Sequence, residues 1–435
     1  MSDICVVGSW HLASVMSVCF AAAGHTVIGV DDDIEAINSL AAGRPTVFEP
    51  KLKSLLTRNI KAGRLSYTTD FAKALDRVSV VFLAIDTPIT ADGVDLTPIR
   101  NATRRIAESA KQSYILVISS QVPVGTCETL AQLANETNPQ AKCDLVCNPE
   151  FLRLGGAIDL CRRPDSIILG ADDFESAKQV ERIYEPYKSP VLIMSLREAE
   201  MVKHAANAYV ANSVSFIGEI CQICDEVGAD TYQISKALRL DRRIGKYAYV
   251  KPGLGFNGGT VARDVKVLLK LARSVNADAP LLDAILAVNQ RQNRQIVERL
   301  RGIFGDLDGV EVGLLGLTYK ARTSTLRNSL TLQIADQMRQ EGVQLKAYDP
   351  IIPPGSLDAA SKIKMCRSMI EAAEGSDALV IMTDKDEFMG LELSTAANVM
   401  RNRVLVDAVN LFDRKQAVAA GFTYVSIGRG FKWVK

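Results

Sequence analysis

The stretch Ile4-Cys5-Val6-Val7-Gly8-Ser9-Trp10-His11-Leu12-Ala13 decides the fold. Ile4–Val7 is an apolar run too short for a helix. A glycine follows, then a helix-like stretch, then a second apolar run at Thr26–Val30. Strands buried on both faces read as continuous apolar runs, so this order opens a βαβ unit. The alternation continues through Val78–Ile85, Ile115–Ser119, Leu145–Cys147, Ser166–Leu169 and Val191–Met194. Residues 1–195 are therefore expected to form one doubly wound, Rossmann-like domain with a parallel sheet.

From Leu196 to about Leu300 the strand signal vanishes. Glu198–Val227 carries a long helical pattern without proline and with one internal glycine, Gly218. Thr231–Leu238, Ala262–Ala277 and Leu281–Val297 read as further helices. A helix of about 30 residues spans about 45 Å, which suits a bridge between domains or a dimer interface. Strand-like runs return at Val310–Leu315, Val343–Tyr348, Ala378–Met382, Arg403–Val406 and Tyr424–Ile427. The expected fold is α/β: two doubly wound domains, 1–195 and 305–435, joined by an all-α middle, 196–304, with a long central helix.

The composition excludes several function classes. The chain has 435 residues, 48% apolar and 23% charged, with a formal net charge of +1. That is ample for several cores, and no charge excess points to a nucleic-acid partner or a membrane surface. No apolar run reaches the 18 residues of a span. The start, Met1-Ser2-Asp3-Ile4-Cys5, lacks the basic region of a signal peptide, so a cytoplasmic location is expected. The nine cysteines are scattered and odd in number, which reads as reduced thiols. Cys221 and Cys224 form a lone CxxC on an apolar helix and read as core rather than zinc ligands. Three histidines make a His-based metal site or a Ser-His-Asp triad improbable, and no metal is expected.

Gly8-Ser9-Trp10-His11-Leu12-Ala13 sits where a dinucleotide fingerprint belongs. Gly8 supplies the tight turn and Ala13 the small residue for helix–strand packing, while Trp10 stands at the second glycine. Asp31 ends the second strand, 23 residues after Gly8, where a carboxylate holds a ribose 2′-OH and repels a 2′-phosphate. On this fingerprint alone two readings stay open: an NAD site, or a domain that has reshaped its loop and lost the cofactor. A second glycine-rich segment, Pro252 to Asp264, has four glycines in seven residues just before a helix. Such a loop lets backbone approach a ligand closely, and a flexible turn needs fewer glycines. Glu200, Lys203 and Asn207 share one helix face, which is either functional or a solvated polar face. Glu150 follows a strand, either projecting into the crevice or serving as a helix-capping or surface carboxylate.

These segments together resemble the UDP-glucose/GDP-mannose dehydrogenases, the nucleotide-sugar 6-dehydrogenases, over nearly the full length. The resemblance rests on Phe48-Glu49-Pro50, Thr68-Thr69-Asp70, Val122-Pro123-Val124-Gly125-Thr126 and Asn148–Arg153. It continues through Glu200–Asn207, Gly253–Asp264, Gly316–Lys320 and Ala347-Tyr348-Asp349-Pro350. It implies an N-terminal NAD domain, a helical dimerising middle and a C-terminal domain for the nucleotide of the sugar. The expected partners are then a nucleotide sugar and a second copy of the chain. The resemblance places Gly8, Trp10, His11, Leu12, Asp31, Thr87, Gln121, Arg263 and Arg327 on the cofactor side. It implies that Glu150, Lys203, Asn207 and Asp264 handle the proton, the alkoxide and the water. Phe151, Leu152, Arg153, Lys203, Asn207, Arg243, Tyr249, Gly255, Gly258 and Lys320 fall on the substrate side.

The departures are equally informative. Thr260 stands at the family's nucleophilic cysteine and Gln121 at its catalytic threonine. Leu154, Val409 and Asp86 replace a carboxylate, an arginine and a proline. The resemblance therefore implies an NAD-linked oxidoreductase on a UDP- or GDP-hexose, performing one two-electron oxidation or acting away from C6, with Thr260 orienting the hydroxyl. A non-oxidising nucleotide-sugar-binding or regulatory homologue stays open, as does a conventional 6-dehydrogenase working through a gem-diol.

Overall fold

The computed structural model of the protein describes residues 2–90, 93–256, 259–357 and 361–430. The chain divides into two compact units, 1–206 and 207–435.

The first unit holds strands β1 (Asp3–Val7), β2 (Thr26–Val30), β3 (Leu65–Thr68), β4 (Val80–Leu83), β5 (Ile89–Thr90), β6 (Gly93–Val94), β7 (Tyr114–Ile118), β8 (Cys143–Cys147), β9 (Ile167–Ala171) and β10 (Val191–Met194). Eight of them form one sheet in the order β10-β9-β8-β7-β4-β1-β2-β3, and β5 and β6 make a small antiparallel hairpin. Alternate residues of each strand feed opposite cores. Ile4 and Val6 pack on one face, Cys5 and Val7 on the other, which is why these runs carry no polar alternation.

The structure departs from the expected purely parallel sheet at one edge, where β9 joins β8 antiparallel and β10 then runs parallel to β9. The strand order reverses at β1, between β2 and β4. Doubly wound sheets bind ligands in the crevice beyond the strand C-termini at such a point. Gly8–Ala13, Asp31, Thr87, Gln121 and Glu150 all follow the C-terminal ends of β1, β2, β4, β7 and β8, which run parallel to one another. One edge of the sheet thus carries the first unit's candidate residues.

The long helix is Leu196–Val227, two residues longer at its start than expected. Ser195 and Glu198 form a capping box: the Ser195 N–H and hydroxyl both donate to Glu198 Oε2 at 2.8 Å. The second unit continues with helices Thr231–Leu240, Thr260–Ser274, Pro280–Gln292 and Gln295–Phe304. The last two were expected as one helix. Apolar spacing carries across the break because Ile285 and Val288 before it, and Ile296 and Leu300 after it, are all buried.

Strands β11 (Glu311–Leu315), β12 (Gln344–Tyr348), β13 (Ile363–Met365), β14 (Ala378–Ile381), β15 (Val404–Asp407) and β16 (Thr423–Ser426) make a parallel sheet, ordered β13-β12-β11-β14-β15-β16. Its two faces again bury separate clusters. Cys221 and Cys224 are buried on the long helix, and the nine cysteines carry free thiols.

Candidate active site

The turn after β1 is built for close approach. Gly8 has φ +128°, and a Cβ there would lie 2.7 Å from the Ala84 carbonyl oxygen and 3.0 Å from the Ala13 methyl. Only glycine fits. Trp10 has φ −92°, ordinary extended backbone, so the second glycine position makes no conformational demand here. Its indole is partly exposed. The Trp10 side chain does not cap the His11–Ala22 helix, and the N–H groups of a helix N-terminus suit an anion. The Gly8 N–H donates to Val30 O at 2.9 Å, which sets Asp31 beside this turn. Asp31 Oδ1 accepts from the Asp33 N–H at 3.0 Å, and Asp33 caps the next helix, Ile34–Ala41. The glycine cradle, the helix N-terminus and the carboxylate together fit a dinucleotide.

The His11 ring is committed elsewhere. It is buried, 2.9 Å from Glu49 Oε2. What His11 and Leu12 can offer a phosphate is their backbone N–H. Thr87 is buried and its hydroxyl donates to Gln121 O at 2.7 Å, so these two candidates meet at the same sheet edge.

Lys203 is buried, and its ammonium donates to the Glu150 carbonyl oxygen at 2.5 Å and lies 4.8 Å above the Phe151 ring. The Glu150 carboxylate accepts from the Leu152 N–H, so it caps its own turn. Arg153 is exposed. Two neighbours of Lys203, whose partners the sequence does not announce, fix its helix. Glu200 accepts from the N–H groups of Gly125 at 2.6 Å and Cys127 at 2.7 Å, capping the Thr126–Thr137 helix. His204 Nε2 lies 2.8 Å from Val122 O. The Val122–Thr126 motif is thus the dock for this turn of the long helix. Glu200, though on one face with Lys203, serves the fold.

In the second unit the Asn207 amide donates to the fully buried Asp264 carboxylate, which also lies 3.7 Å from Arg263 Nε. Thr260 is exposed as the first residue of the Thr260–Ser274 helix. Asn289 clamps the loop ahead of it by both sides of its amide: Oδ1 accepts from the Phe256 N–H at 2.8 Å and Nδ2 donates to Phe256 O at 2.9 Å. A Cβ on Gly255 would stand 2.2 Å from that same Oδ1, which is why glycine precedes Phe256. Gly258 lies outside the described residues.

The 316–320 segment comes alongside, with the Tyr319 ring 3.7 Å from where a Gly259 side chain would begin. Burial raises the Tyr319 phenol above its usual range, and the nearby Tyr249 adds to this. Lys320, at the end of that segment, is half-buried, and Arg327, seven residues further on, is exposed. Arg243 is exposed and pairs with Asp241 at 2.6 Å. Cys221 is in hydrogen-bond contact with the Gly253 backbone at the loop's start, but burial pushes its thiol up to about 12.

Known proteins show the same organisation along the chain. Residues 2–188 match the NAD binding domain of the UDP-glucose/GDP-mannose dehydrogenase family, 197–291 its central domain and 313–414 its UDP binding domain. The chain is 34% identical over 432 residues to the UDP-glucose 6-dehydrogenase TuaD of Bacillus subtilis, covering 99% of this chain and 94% of that one. It is 34% identical over 434 residues to the UDP-glucose 6-dehydrogenase of Rhizobium meliloti, covering 98% and 99%. The solved UDP-glucose dehydrogenase of Pyrobaculum islandicum superposes with a TM-score of 0.90 at 29% identity, covering 99% of this chain and 98% of that one. Among the described residues no helix is long and apolar enough to cross a membrane. The chain belongs to the UDP-glucose/GDP-mannose dehydrogenase family of NAD-dependent nucleotide-sugar dehydrogenases.

Proposed function

We propose that the protein oxidises a nucleotide-activated hexose of the UDP or GDP type by a single hydride transfer. The observation that carries this is Thr260, exposed at the helix start where the family resemblance sets a nucleophilic cysteine. A threonine hydroxyl is far less nucleophilic than a thiolate, and the glycine-rich segment carries no histidine to activate it. Cys221, whose thiol is held near 12, supplies no substitute.

Gly8, the N–H groups of Trp10–Leu12, Asp31 and Thr87 would hold NAD, with Gln121, Arg263 and Arg327 contributing, and the cofactor would supply the acceptor for a hydride from the alcohol carbon. The alcohol proton leaves as the hydride does. Lys203 stabilises the developing alkoxide as an ammonium or, as the neutral amine, takes the proton, and Glu150 and Asp264 pass it on to water. Asn207 and Thr260 orient the hydroxyl. Phe151, Leu152, Arg153, Arg243, Tyr249, Gly255, Gly258 and Lys320 take the rest of the substrate. A screen of UDP- and GDP-hexoses for NADH, with mass spectrometry of the product, tests the reading. A product two hydrogens lighter, with one NADH per sugar, is expected. Binding of NAD and sugar without NADH formation would instead favour a non-oxidising homologue.

Asp31→Ala is expected to weaken NAD about 30-fold, the loss of a charge-assisted hydrogen bond, and to narrow the preference over NADP. Fluorescence titration of both cofactors reads this. Equal discrimination in the variant would remove Asp31 from the ribose.

The proposal includes a cytoplasmic homodimer built on the long helix. Tyr209, Phe216, Ile223 and Val227 are exposed, the first three at seven-residue spacing on one face. Phe216→Glu with Ile223→Lys is expected to give monomers or aggregates by light scattering. A well-folded monomer of the unmodified protein would exclude the dimer.

A further inference from the structure

One buried carboxylate joins two segments that the proposed function assigns to different ligands. Glu49 is fully buried at its side chain. Its Oε2 lies 2.9 Å from His11 Nε2 and accepts from the Gly155 N–H at 2.8 Å, while Oε1 accepts from the Ala157 N–H at 2.9 Å. The donors come from the first residue of the helix after the dinucleotide turn and from the end of the 151–157 segment. The Thr46 hydroxyl ties the same 46–50 loop to the turn by donating to Ser9 O at 3.1 Å. A carboxylate accepts only, and here it faces three donors when the His11 proton is on Nε2. Charge-assisted bonds of this kind are short, directional and costly to leave unmade. Glu49 reaches neither the turn's N–H groups nor Phe151–Arg153, so it acts through what it holds.

We propose that Glu49 is a positioning residue that fixes the dinucleotide turn and the 151–157 segment in one register, so that cofactor and nucleotide sugar strengthen each other's binding. The inference rests on the cofactor and substrate assignments proposed above. Ordering either segment by its ligand orders the other through the carboxylate, and the second ligand then meets a prepared site. His11 is the turn's half of this link. Its side chain serves as a buried donor to Glu49.

NADH fluorescence titration with and without saturating UDP-glucose tests this, on the unmodified protein and on Glu49→Gln, His11→Leu and His11→Gln. Thermal melts confirm that each variant is folded. In the unmodified protein UDP-glucose is expected to tighten NADH about tenfold, a usual size for such coupling. In Glu49→Gln and His11→Leu the ratio should fall to about one. His11→Gln keeps a donor toward Glu49 and should retain most of it. A purely structural role would lower the melting temperature and leave the ratio unchanged, which would overturn the inference, as would a ratio of one in the unmodified protein. Should the unmodified protein bind neither NADH nor any UDP- or GDP-hexose, the proposed function would fall, and this inference with it.

Discussion

Thr260→Cys is expected to raise the yield from one NADH per sugar to nearly two, if C6 is the carbon oxidised. The position is the first residue of the Thr260–Ser274 helix, and its N-cap residue, Gly259, has no side chain to cap it. A thiol at a helix N-terminus has its pKa lowered to roughly 3.5–7.5, so a large share is thiolate near neutral pH. The thiolate can add to the aldehyde left by the first oxidation, forming a thiohemiacetal whose carbon carries a second transferable hydride. Its loss to a second NAD gives a thioester, and water releases the acid and restores the thiol. Cys221 shows the contrast. Burial pushes its thiol up to about 12, so it stays protonated near neutral pH. In the unmodified protein a carbonyl sugar should accumulate, trapped by a hydroxylamine reagent. If another carbon is oxidised the product is a ketone and the cysteine changes nothing. Two NADH and a carboxylate from the unmodified protein would show that Thr260 does not stop the reaction.

Much of this architecture is legible in the sequence for a simple reason. Strands buried on both faces must be apolar throughout, so Ile4–Val7 and Val80–Leu83 announce themselves. Leu65–Thr68 and Ile363–Met365 escape notice because they are edge strands, short and polar on alternate residues. The capping box at Ser195 and Glu198 was readable and sets the start of the long helix. The site divides along the same line. Gly8 and Asp31 belong to a local pattern with fixed spacing, and their geometry follows from one βαβ unit. Glu49, Glu200, Asn289 and Asp349 depend on partners 30 to more than 100 residues away. No period or spacing announces such a pairing, since only the finished topology brings those backbone groups within reach. His11 shows the limit from the other side. Its place in the fingerprint points to the cofactor, yet its ring turns inward to a carboxylate from a separate loop.

Lys385→Met is expected to destabilise the second unit by about 3–5 kcal/mol, because it leaves a buried carboxylate without its cation. Asp349 follows the C-terminal end of β12 and Lys385 lies beyond the end of β14, with β11 between the two strands. Their ion pair is 2.6 Å long, and neither side chain is more than 1% exposed. The other Asp349 oxygen accepts from the Leu317 N–H at 2.8 Å and more weakly from Thr318, while Oδ1 also accepts from the Ile351 N–H at 3.0 Å. The pair therefore anchors the turn after β11. There Gly316 has φ +93°, and a Cβ would collide with Thr383 Oγ1 at 1.9 Å. Methionine replaces the stem of lysine but not its charge, so the loss is electrostatic rather than a cavity. For a unit of this size the cost corresponds to a fall in melting temperature of roughly 10 °C. Asp349→Asn alone should cost a similar amount, because it strands the ammonium. The double variant removes both charges, and its cost should fall well short of the sum of the two. Denaturant unfolding of the three variants measures this directly. Strict additivity would mean that the two groups do not act as a pair, and the turn that carries Lys320 would need another anchor.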